Sequence, residues 1–491
     1  MKDRDFCLSF AGSLAWDRAF PLRFPKMRRL LAILLITLCT AATQAQELRG
    51  AWIHSPFGTA DWGWDRTVRI LAENGFNALF ANLSWTVSAD YPSEVAVAPA
   101  ALVAPDGTVR DCLQECLDAC RKYGVQLHVW VVVCNMGEHT PLAKRQELRD
   151  AGLTQVDSKG VVSDYLAPQL LENQQLVKDA LYELAKKYQI DGVHLDYIRY
   201  PLGEYDCSPR ARADFEKSLG KEVTSWPKDI LPGGGLRKEY RQWCRDNITK
   251  LVEIARKAVK DANPSVQFSV AVYGFWKGAR ESVAQDAAEW VDKGLVDFLC
   301  PMNYSGLPGD AAMWLGQQLA SVNGRVPVYS GLANYMCEDV SALVDEIEGA
   351  RTLGADGFIC FQLKENFARD WLPILKERVT ATPSDAPVAL GGERPASTWS
   401  GGGRMTAPWF CFLRKPAPAP VVCTIDFPEG MAPLPEVVEA QLLRNGKPHD
   451  LPYTARVDGR RLTLTFIPDR IGYYRWRILS PGCMSTTKLV R

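Results

Sequence analysis

The chain has 491 residues, of which 47% are hydrophobic and 23% are charged, a composition that excludes a disordered or fibrous protein and leaves room for more than one domain. Its 57 basic and 57 acidic side chains cancel. No overall field would therefore recruit nucleic acid or an anionic membrane, whereas a neutral, polyhydroxylated substrate would suit this balance.

Residues 1–45 are predicted to be a leader and a secretory signal peptide. Two arginines precede an apolar stretch, 30–38, and small residues follow as far as Ala45. The apolar stretch is shorter than the roughly 20 residues that a bilayer requires, which favours export over a transmembrane anchor. We expect a natural start at Met27, a periplasmic or extracellular protein, and no membrane span in the mature chain. Cys39 leaves lipoprotein anchoring as a minor alternative.

Residues 46–380 alternate β-rich runs with amphipathic helical runs such as 172–188 and 245–259. Strand and helix alternate eight times, which predicts a (β/α)8 TIM barrel and favours it over a doubly wound open sheet. The predicted strands are 48–55, 77–85, 126–133, 192–198, 266–275, 297–304, 326–332 and 357–363.

A polar residue stands directly before or at the start of five predicted strands, namely Asn77, Gln126, Asp191, Asp297 and Asp356. We expect these residues in the turns at the bottom of the barrel, a face that serves stability. Asp191 and Asp196 lie on one strand at a separation of roughly 16 Å. Paired glycosidase carboxylates lie roughly 5–10 Å apart. The spacing therefore predicts a structural role for Asp191 and places Asp196 at the catalytic end.

The chain changes character after the predicted barrel. Residues 381–404 are rich in Pro, Gly and Ser and are predicted to be a linker. Residues 405–491 carry short β patterns and turn signals, which predict a small β-sandwich of the immunoglobulin or fibronectin type. Trp476, Tyr473 and Tyr474 could bind sugar there, but aromatic residues in alternating strands favour core packing.

The cysteines show no CxxC or Cys/His metal spacing. Cys112, Cys116 and Cys120 form one stripe of a predicted helix and are interpreted as small buried residues. An exported chain could form disulfides, but the sequence does not pair them. Motifs of serine hydrolases, zinc proteases, P-loop proteins and dinucleotide-binding proteins are absent from the sequence. No metal and no organic cofactor is implied.

His194 and Asp196 share the face of the fourth strand that points into the barrel. We interpret Asp196 as the catalytic carboxylate. The alternative is a structural ion pair with Arg199, because a buried carboxylate needs a partner. His194 lies one layer deeper and is either a hydrogen-bonded core histidine or a group that orients Asp196.

Other strand ends carry polar and aromatic side chains. Aromatic rings stack on pyranose rings, while amides and hydroxyls bond sugar hydroxyls. Trp85 could instead pack under a loop. The predicted substrate-binding residues are His54, Asn82, Trp85, Asn135, His194, Arg199, Tyr200, Tyr273, Trp276, Asn303, Tyr304 and Gln362.

A glycosidase needs a second carboxyl group, usually at another strand end. Surface loops are rich in solvated acids, so the choice among the candidates stays open. Glu204, Glu365 and Glu138 are the main candidates, and Asp206 and Glu338 also follow predicted strands.

Six segments resemble glycoside-hydrolase-like family 10, whose members are exported bacterial TIM barrels. The segments lie within 47–380 and read "ELRGAWI", "FNALFANLSW", "LHVWVVV", "LVKDALYELAKKYQIDGVHLDYIRYP", "VDFLCPMNY" and "GADGFICFQL". The resemblance implies a carbohydrate substrate, with peptidoglycan glycan strands as one example, and an acid at Asp196. Family members commonly have a second acid where this chain has Tyr197. The chain is also weakly similar to chitinase-type family 18. It lacks the glutamate that this family has at the end of strand four, because Ile198 or Arg199 occupies that position.

We therefore expect an exported glycoside hydrolase that cleaves glycosidic bonds of a poly- or oligosaccharide by carboxylate acid/base chemistry. The alternatives are a non-catalytic glycan-binding barrel and a structural cell-surface protein. The sequence does not identify the sugar, the linkage, the stereochemical course or the oligomeric state.

Overall fold

The computed structural model describes residues 47–202, 206–305 and 308–384 continuously. In the C-terminal part it describes shorter stretches, which are 400–401, 410–413, 420–426, 440–444, 447–459, 461–469 and 472–478. The predicted signal peptide and most of the predicted linker lie outside the described residues. Among the described residues, no helix is both long enough and apolar enough to cross a membrane.

Eight parallel strands close into a barrel, and each strand pairs with its sequence neighbours in the barrel. Each of the eight predicted runs coincides with one of these strands, although β7 ends one residue after its run, at Ala333. The closed barrel confirms the predicted TIM barrel. The strands are β1 Leu48–Ile53, β2 Ala78–Trp85, β3 Gln126–Val132, β4 Gly192–Asp196, β5 Gln267–Tyr273, β6 Phe298–Met302, β7 Tyr329–Ala333 and β8 Gly357–Phe361.

Helices surround the barrel and connect its strands. They are α1 Gly63–Glu73, α2 Cys112–Tyr123, α3 Leu142–Asp150, α4 Leu171–Lys187, α5 Pro209–Leu219, α6 Arg237–Ala262, α7 Trp276–Ser282, α8 Ala287–Asp292, α9 Pro308–Val322, α10 Val340–Leu353 and α11 Leu372–Arg378. Short 3-10 helices cover Ala100–Leu102, Lys228–Ile230 and Asn334–Met336, and a π-helix covers Phe367–Trp371. An antiparallel hairpin pairs Thr154–Val156 with Val162–Leu166.

Local sequence signals fix several helix ends. Asp111 caps α2 by accepting a hydrogen bond from the backbone N–H of Gln114, and Ser208 caps α5 in the same way. Both helices end at a glycine with positive φ, which is 67° at Gly124 and 71° at Gly220. The predicted cysteine stripe is buried on α2, as expected for small apolar residues.

The barrel core has two layers because side chains alternate along each strand. On β4, Val193 and Leu195 point outward and pack under the helices. His194, between them, points inward, where aromatic rings such as Trp52 and Phe80 fill the barrel. The interior is therefore a packed core, and ligands can reach only the ends of the barrel.

Four polar residues fasten neighbouring strands at the bottom of the barrel. We name Asn77, Asp191, Asp297 and Asp356 the entrance set. Each precedes an even-numbered strand and accepts a hydrogen bond from a backbone N–H at the start of the preceding strand. The donors are Arg49 at 2.8 Å, Leu127 at 2.8 Å, Phe268 at 2.8 Å and Val328 at 2.7 Å, in that order. Asp191 is therefore structural, as predicted. Gln126 differs, because its Oε1 lies 3.3 Å from Nε2 of His128.

The C-terminal part contains two four-stranded antiparallel sheets. One has the order Ser400–Gly401, Val421–Asp426, Arg461–Phe466, Tyr453–Asp458, and the other has the order Phe410–Leu413, Gly472–Ile478, Ala440–Arg444, Lys447–Pro448. Trp476 of the second sheet contacts two rings of the first, Tyr453 at 4.9 Å and Phe466 at 5.6 Å between centroids. Trp476 is buried, in agreement with the core-packing interpretation. The β-sandwich itself stays a prediction, and the side chains of Tyr473 and Tyr474 lie outside the described part.

Candidate active site

Asp196 is the last residue of β4 and lies at the mouth, the barrel end formed by the carboxyl ends of the strands. Its Oδ1 accepts two hydrogen bonds, from the backbone N–H of Tyr197 and from Nη1 of Arg199, each at 2.6 Å. Its Oδ2 accepts no hydrogen bond within the described residues. The residue is only 4% exposed. The carboxyl group is thus held in one orientation with one oxygen left for a ligand.

The residues after Asp196 turn sharply so that Arg199 can fold back. Tyr197 has a φ of 52°, a left-handed conformation that is rare for a bulky residue and is often found at functional sites. The Arg199 guanidinium lies 4.0 Å from the Tyr197 ring centroid and 5.0 Å from that of Tyr273. Burial alone would lower the pKa of Arg199, but Asp196 and Tyr273 raise it above its ordinary value.

His194 belongs to the core and does not reach the mouth. The indole N–H of Trp52 donates to its Nε2 at 3.1 Å, so the ring proton must be on Nδ1, which lies 2.9 Å from the Ser269 hydroxyl. Burial holds the pKa of His194 well below its ordinary value. The prediction of a substrate-binding His194 is wrong, because the ring is 0% exposed and both ring nitrogens are occupied.

His54 follows β1 and is exposed at the mouth. Its ring centroid lies 4.2 Å from that of Trp130 and 6.0 Å from that of Phe361. The pKa of His54 lies below its ordinary value, because partial burial of the ring lowers it more than the charge of Asp196 raises it. His54 also lines a cavity of about 540 Å³ together with Gln362 and Glu365. The structure therefore brings three predicted residues together.

Aromatic side chains continue around the mouth from His54. Tyr304 and Phe361 stack with a centroid distance of 5.4 Å and an interplanar angle of 18°. Tyr335, which is 62% exposed, packs edge-on against both rings. Tyr273 and Tyr304 line a second cavity of about 290 Å³. Two predicted tyrosines thus share a largely aromatic depression with Phe275, which is exposed.

Tyr200 and Asn303 are corrections to the predicted binding set. Tyr200 is fully buried under the helices, and its backbone N–H donates to Val283 at 3.0 Å. Asn303 exchanges hydrogen bonds with Gln318 of α9, at 2.7 and 3.2 Å, and donates to Ser330 at 3.0 Å. Both side chains are used in packing the barrel and cannot contact a sugar.

Asn82 and Trp85, which were both predicted to bind sugar, are also buried and are packed against neighbouring groups. The Asn82 amide donates to the Trp130 carbonyl at 3.1 Å. Trp85 stacks on His139 with a centroid distance of 3.8 Å, which covers a ring face that sugar would need. Asn135 is partly buried and its Oδ1 accepts from the Gly137 N–H at 3.0 Å, in a local turn.

Trp276 lies apart from His54 and its neighbours, because it lines a separate cavity of about 140 Å³ beside Arg280, Asp286 and Trp314. Its indole nitrogen is buried and has no hydrogen-bond partner among the described residues. This cavity shares Gly274 and Trp314 with the cavity lined by Tyr273 and Tyr304, and it includes neither His54 nor Gln362.

The second carboxyl group is not fixed by the structure. Glu365 lines the His54 cavity but forms an ion pair with Arg369 at 3.2 Å. Glu138 is exposed, and Glu204 lies outside the described residues. Asp206 is excluded as a reacting group, because it is fully buried and accepts from Gln169, Val156 and Ser208. Glu338 is exposed after β7.

Among the described residues, no cluster of His, Cys, Asp or Glu could hold a metal ion. The ten cysteines described as free include the three on α2, and no disulfide joins them within this part of the chain.

An aspartate–histidine pair at the mouth was missed from the sequence. Nε2 of His139 lies 2.7 Å from Oδ1 of the fully buried Asp90. The two residues are 49 positions apart, in the loops after β2 and β3, so no local pattern links them. A usable signal was the scarcity of histidine, since the chain has five and His139 follows a predicted strand. Tyr335 and Phe361 were missed because isolated aromatic residues at or just after the end of a strand are common.

Comparisons with known proteins identify the family of the chain and the fold of the barrel. A family model described as Glycosyl hydrolase-like 10 matches residues 47–345, more than half of the chain. "Glycosyl hydrolase YngK" of Bacillus subtilis (strain 168) is 23% identical over 342 residues, covering 62% of this chain and 64% of that protein. "Glycosyl hydrolase DigH" of Escherichia coli (strain K12) is 22% identical over 355 residues, covering 62% and 77%. This chain thus spans less than two thirds of the length of the Bacillus relative.

A solved structure shows the same fold. The PgaB (BpsB) glycoside hydrolase domain from Bordetella bronchiseptica superposes with a TM-score of 0.52 at 13% identity, covering 69% of this chain and 99% of that domain. The resemblance found in the sequence is confirmed by the family match. With its barrel matched by the family model, this chain belongs to the glycosyl hydrolase-like 10 family.

Proposed function

We propose that the barrel is a glycoside hydrolase that cleaves a poly- or oligosaccharide, with Asp196 as its reacting carboxylate. The observation that carries the proposal is the arrangement of that group. Oδ1 is fixed by Tyr197 and Arg199 at 2.6 Å each, while Oδ2 accepts no hydrogen bond within the described residues. A fixed orientation lowers the entropy cost of reaching a reactive geometry.

The surroundings of Asp196 suit a carbohydrate. Tyr335 and Phe275 are exposed, and Tyr304 stacks on Phe361. Aromatic faces pack against the apolar faces of sugar rings. The cavities of about 540 and 290 Å³ at the mouth match the size range of small-molecule sites. We infer that a glycan lies across the mouth, from the His54 cavity to the Tyr273 cavity.

The finer parts of this proposal concern substrate, location and the C-terminal sheets. Peptidoglycan glycan strands are the first substrate to test, since the family resemblance implies a carbohydrate of that kind. We propose export to the periplasm or the cell exterior, supported by the signal pattern in residues 27–45. We also propose that residues 405–491 form a β-sandwich, supported by the inter-sheet contacts of Trp476.

The proposal is tested with Asp196→Asn, which keeps an oxygen that can accept from Arg199. Turnover is expressed per folded molecule, because the neutral amide leaves the Arg199 charge buried without its partner. Reducing ends released from peptidoglycan glycan strands and from a panel of plant and host glycans are measured. The matched control is Asp191→Asn, the same substitution at the other end of β4, where the amide oxygen can still accept from Leu127. We expect turnover to be abolished in Asp196→Asn and kept in Asp191→Asn. Normal turnover by Asp196→Asn would remove Asp196 from the mechanism.

A second candidate function is glycan binding without catalysis. It is favoured by the 4% exposure of Asp196 and by the ion pair with Arg199, which together resemble a structural use of the carboxylate. The same glycan panel separates the two functions. A binding protein would show affinity for a glycan, by calorimetry or by pull-down, without releasing reducing ends from it.

A further inference from the structure

Asp90 and His139 form a hydrogen-bonded pair at the mouth of the barrel. Oδ1 of Asp90 accepts from Nε2 of His139 at 2.7 Å, and Oδ2 of Asp90 is buried without a hydrogen-bond partner among the described residues. The Asp90 side chain is 0% exposed, whereas that of His139 is 26% exposed. The carboxylate of Asp90 therefore has the His139 imidazole as its only hydrogen-bond partner among the described residues. Burial raises the pKa of Asp90, and His139 opposes that rise.

The pair also fixes which nitrogen of His139 meets solvent. Because the Asp90 carboxylate accepts the hydrogen bond, Nε2 of His139 must carry a proton. The Trp85 ring stacks on the imidazole at a centroid distance of 3.8 Å and an interplanar angle of 14°. Nδ1 has no hydrogen bond within the described residues, and the ring is partly exposed. An imidazole that is oriented by a carboxylate and open at its other nitrogen is the usual form of a catalytic acid or base.

Strand register places this pair near Asp196. Trp85 of β2 pairs with Val132 of β3, and Val132 pairs with Asp196 of β4. Neighbouring strands lie about 4.8 Å apart, so the backbones of Trp85 and Asp196 are roughly 10 Å apart at one level of the barrel. The ring of His139 stacks on Trp85, so it lies near the end of β4 that carries Asp196.

We propose that His139, oriented by Asp90, is the proton-transferring catalytic group of the hydrolase, in the role that a second carboxyl group usually has. This inference rests on the proposed function. Protonated His139 gives its Nδ1 proton to the glycosidic oxygen while the bond from that oxygen to the anomeric carbon breaks. Oδ2 of Asp196 bonds to the anomeric carbon, and the aglycone leaves as an alcohol. Water then attacks that carbon, the bond to Asp196 breaks, and His139 takes the proton of the water.

The test compares two leaving groups. Phenyl and 2,4-dinitrophenyl β-glycosides of glucose, galactose and N-acetylglucosamine are the probes, because a dinitrophenolate leaves without protonation. We expect His139→Gln to lower kcat on the phenyl glycoside about 100-fold or more, and to change the first turnover of the dinitrophenyl glycoside less than tenfold. Sodium azide should restore multiple turnovers and yield a glycosyl azide, a product that a structural role would not give.

Asp90 is a positioning residue, and its readout is a comparison of kcat with KM. Asp90→Asn no longer fixes the ring of His139 through Oδ1, so it should lower kcat on the phenyl glycoside at unchanged KM and leave the first turnover of the dinitrophenyl glycoside unchanged. The matched control is His449→Gln in the C-terminal part, where His449 lies 2.8 Å from Asp469 in a pair of the same type. This control should behave as the unmodified chain.

Three results overturn the inference. Equal losses on both glycosides would make His139 structural, and unchanged rates would remove it from the reaction. In both cases the proposed hydrolase activity stands. If the unmodified chain cleaves neither these glycosides nor any glycan of the panel, the proposed function and this inference both fall.

Discussion

Nη1 of Arg199 lies 2.6 Å from Oδ1 of Asp196, and the side chains of the two residues are 7% and 6% exposed. The ion pair is therefore almost completely desolvated. Removing one partner of such a pair costs more stability than the pair contributes, because the other charge is left buried. The same contact determines which oxygen of Asp196 a substrate can meet.

Arg199→Met is expected to lower the free energy of unfolding by about 3 kcal/mol, since Asp196 keeps a buried charge without its partner. Adding Asp196→Asn should recover part of that loss, because the remaining group is then neutral. Urea denaturation of both single variants and of the double variant completes the cycle. Additive losses would show that the two side chains do not stabilise each other.

Stability should fall between pH 7 and pH 5 because of the two buried histidines inside the barrel. Burial lowers the pKa of His128 to about 3 and places that of His194 well below its ordinary value. The unfolded chain binds protons near pH 6.5 while the folded chain does not, so stability is complete above that pH and is lost as the pH falls. Each histidine should cost about 2 kcal/mol over this interval.

Urea denaturation at the two pH values measures this effect. His128→Gln should reduce the difference, because one of the two groups no longer titrates. A pH-independent stability in the unmodified chain would contradict the prediction.

Asp356 of the entrance set should matter for stability and not for the reaction. Asp356→Ala removes the acceptor of the Val328 N–H, and a buried donor without a partner costs roughly 1–3 kcal/mol. Thermal unfolding and kcat per folded molecule are measured together. We expect a lower melting temperature with kcat unchanged, because the substitution lies at the end of the barrel opposite the mouth. A loss of kcat in the folded fraction would refute this separation.

Tyr335 should contribute to glycan affinity and not to folding. Its side chain is 62% exposed, so Tyr335→Ala removes little buried surface. Loss of one aromatic stacking contact is worth roughly 0.5–1.5 kcal/mol, or about a 2- to 12-fold weaker affinity. Calorimetry with the best glycan of the panel measures the affinity, and thermal unfolding should be unchanged. Unaltered affinity would place the glycan away from Tyr335.

Repetition made the barrel predictable from the sequence. Seven of the eight strands fall within the predicted runs and β7 extends one residue beyond its run, to Ala333, because parallel strands buried on both faces appear in the sequence as apolar runs between amphipathic helices. The spacing of Asp191 and Asp196 was also sufficient, since a strand has a fixed rise per residue. The hydrogen bond from Leu127 to Asp191 confirms the structural role of that carboxylate.

The residues that form the site were predicted less well, because a position at a strand end does not determine how far the side chain is buried. His54, Tyr273, Tyr304 and Gln362 line cavities at the mouth. Asn303 stands beside Tyr304 in the sequence but bonds Gln318 of a helix that follows it. Such contacts depend on how helices close over the barrel, which residue type and strand position do not reveal.

The sequence by itself determined the order of the strands, the end of the barrel that carries Asp196, and the family. These properties follow from local periodicity and from residue spacing along one element. Only the tertiary structure decided that Arg199 folds back onto Asp196, that His194 is enclosed by Trp52 and Ser269, and that Asp90 meets His139. Each of these contacts joins side chains by loop geometry or across strands, and their energies depend on desolvation that exists only once the chain has packed.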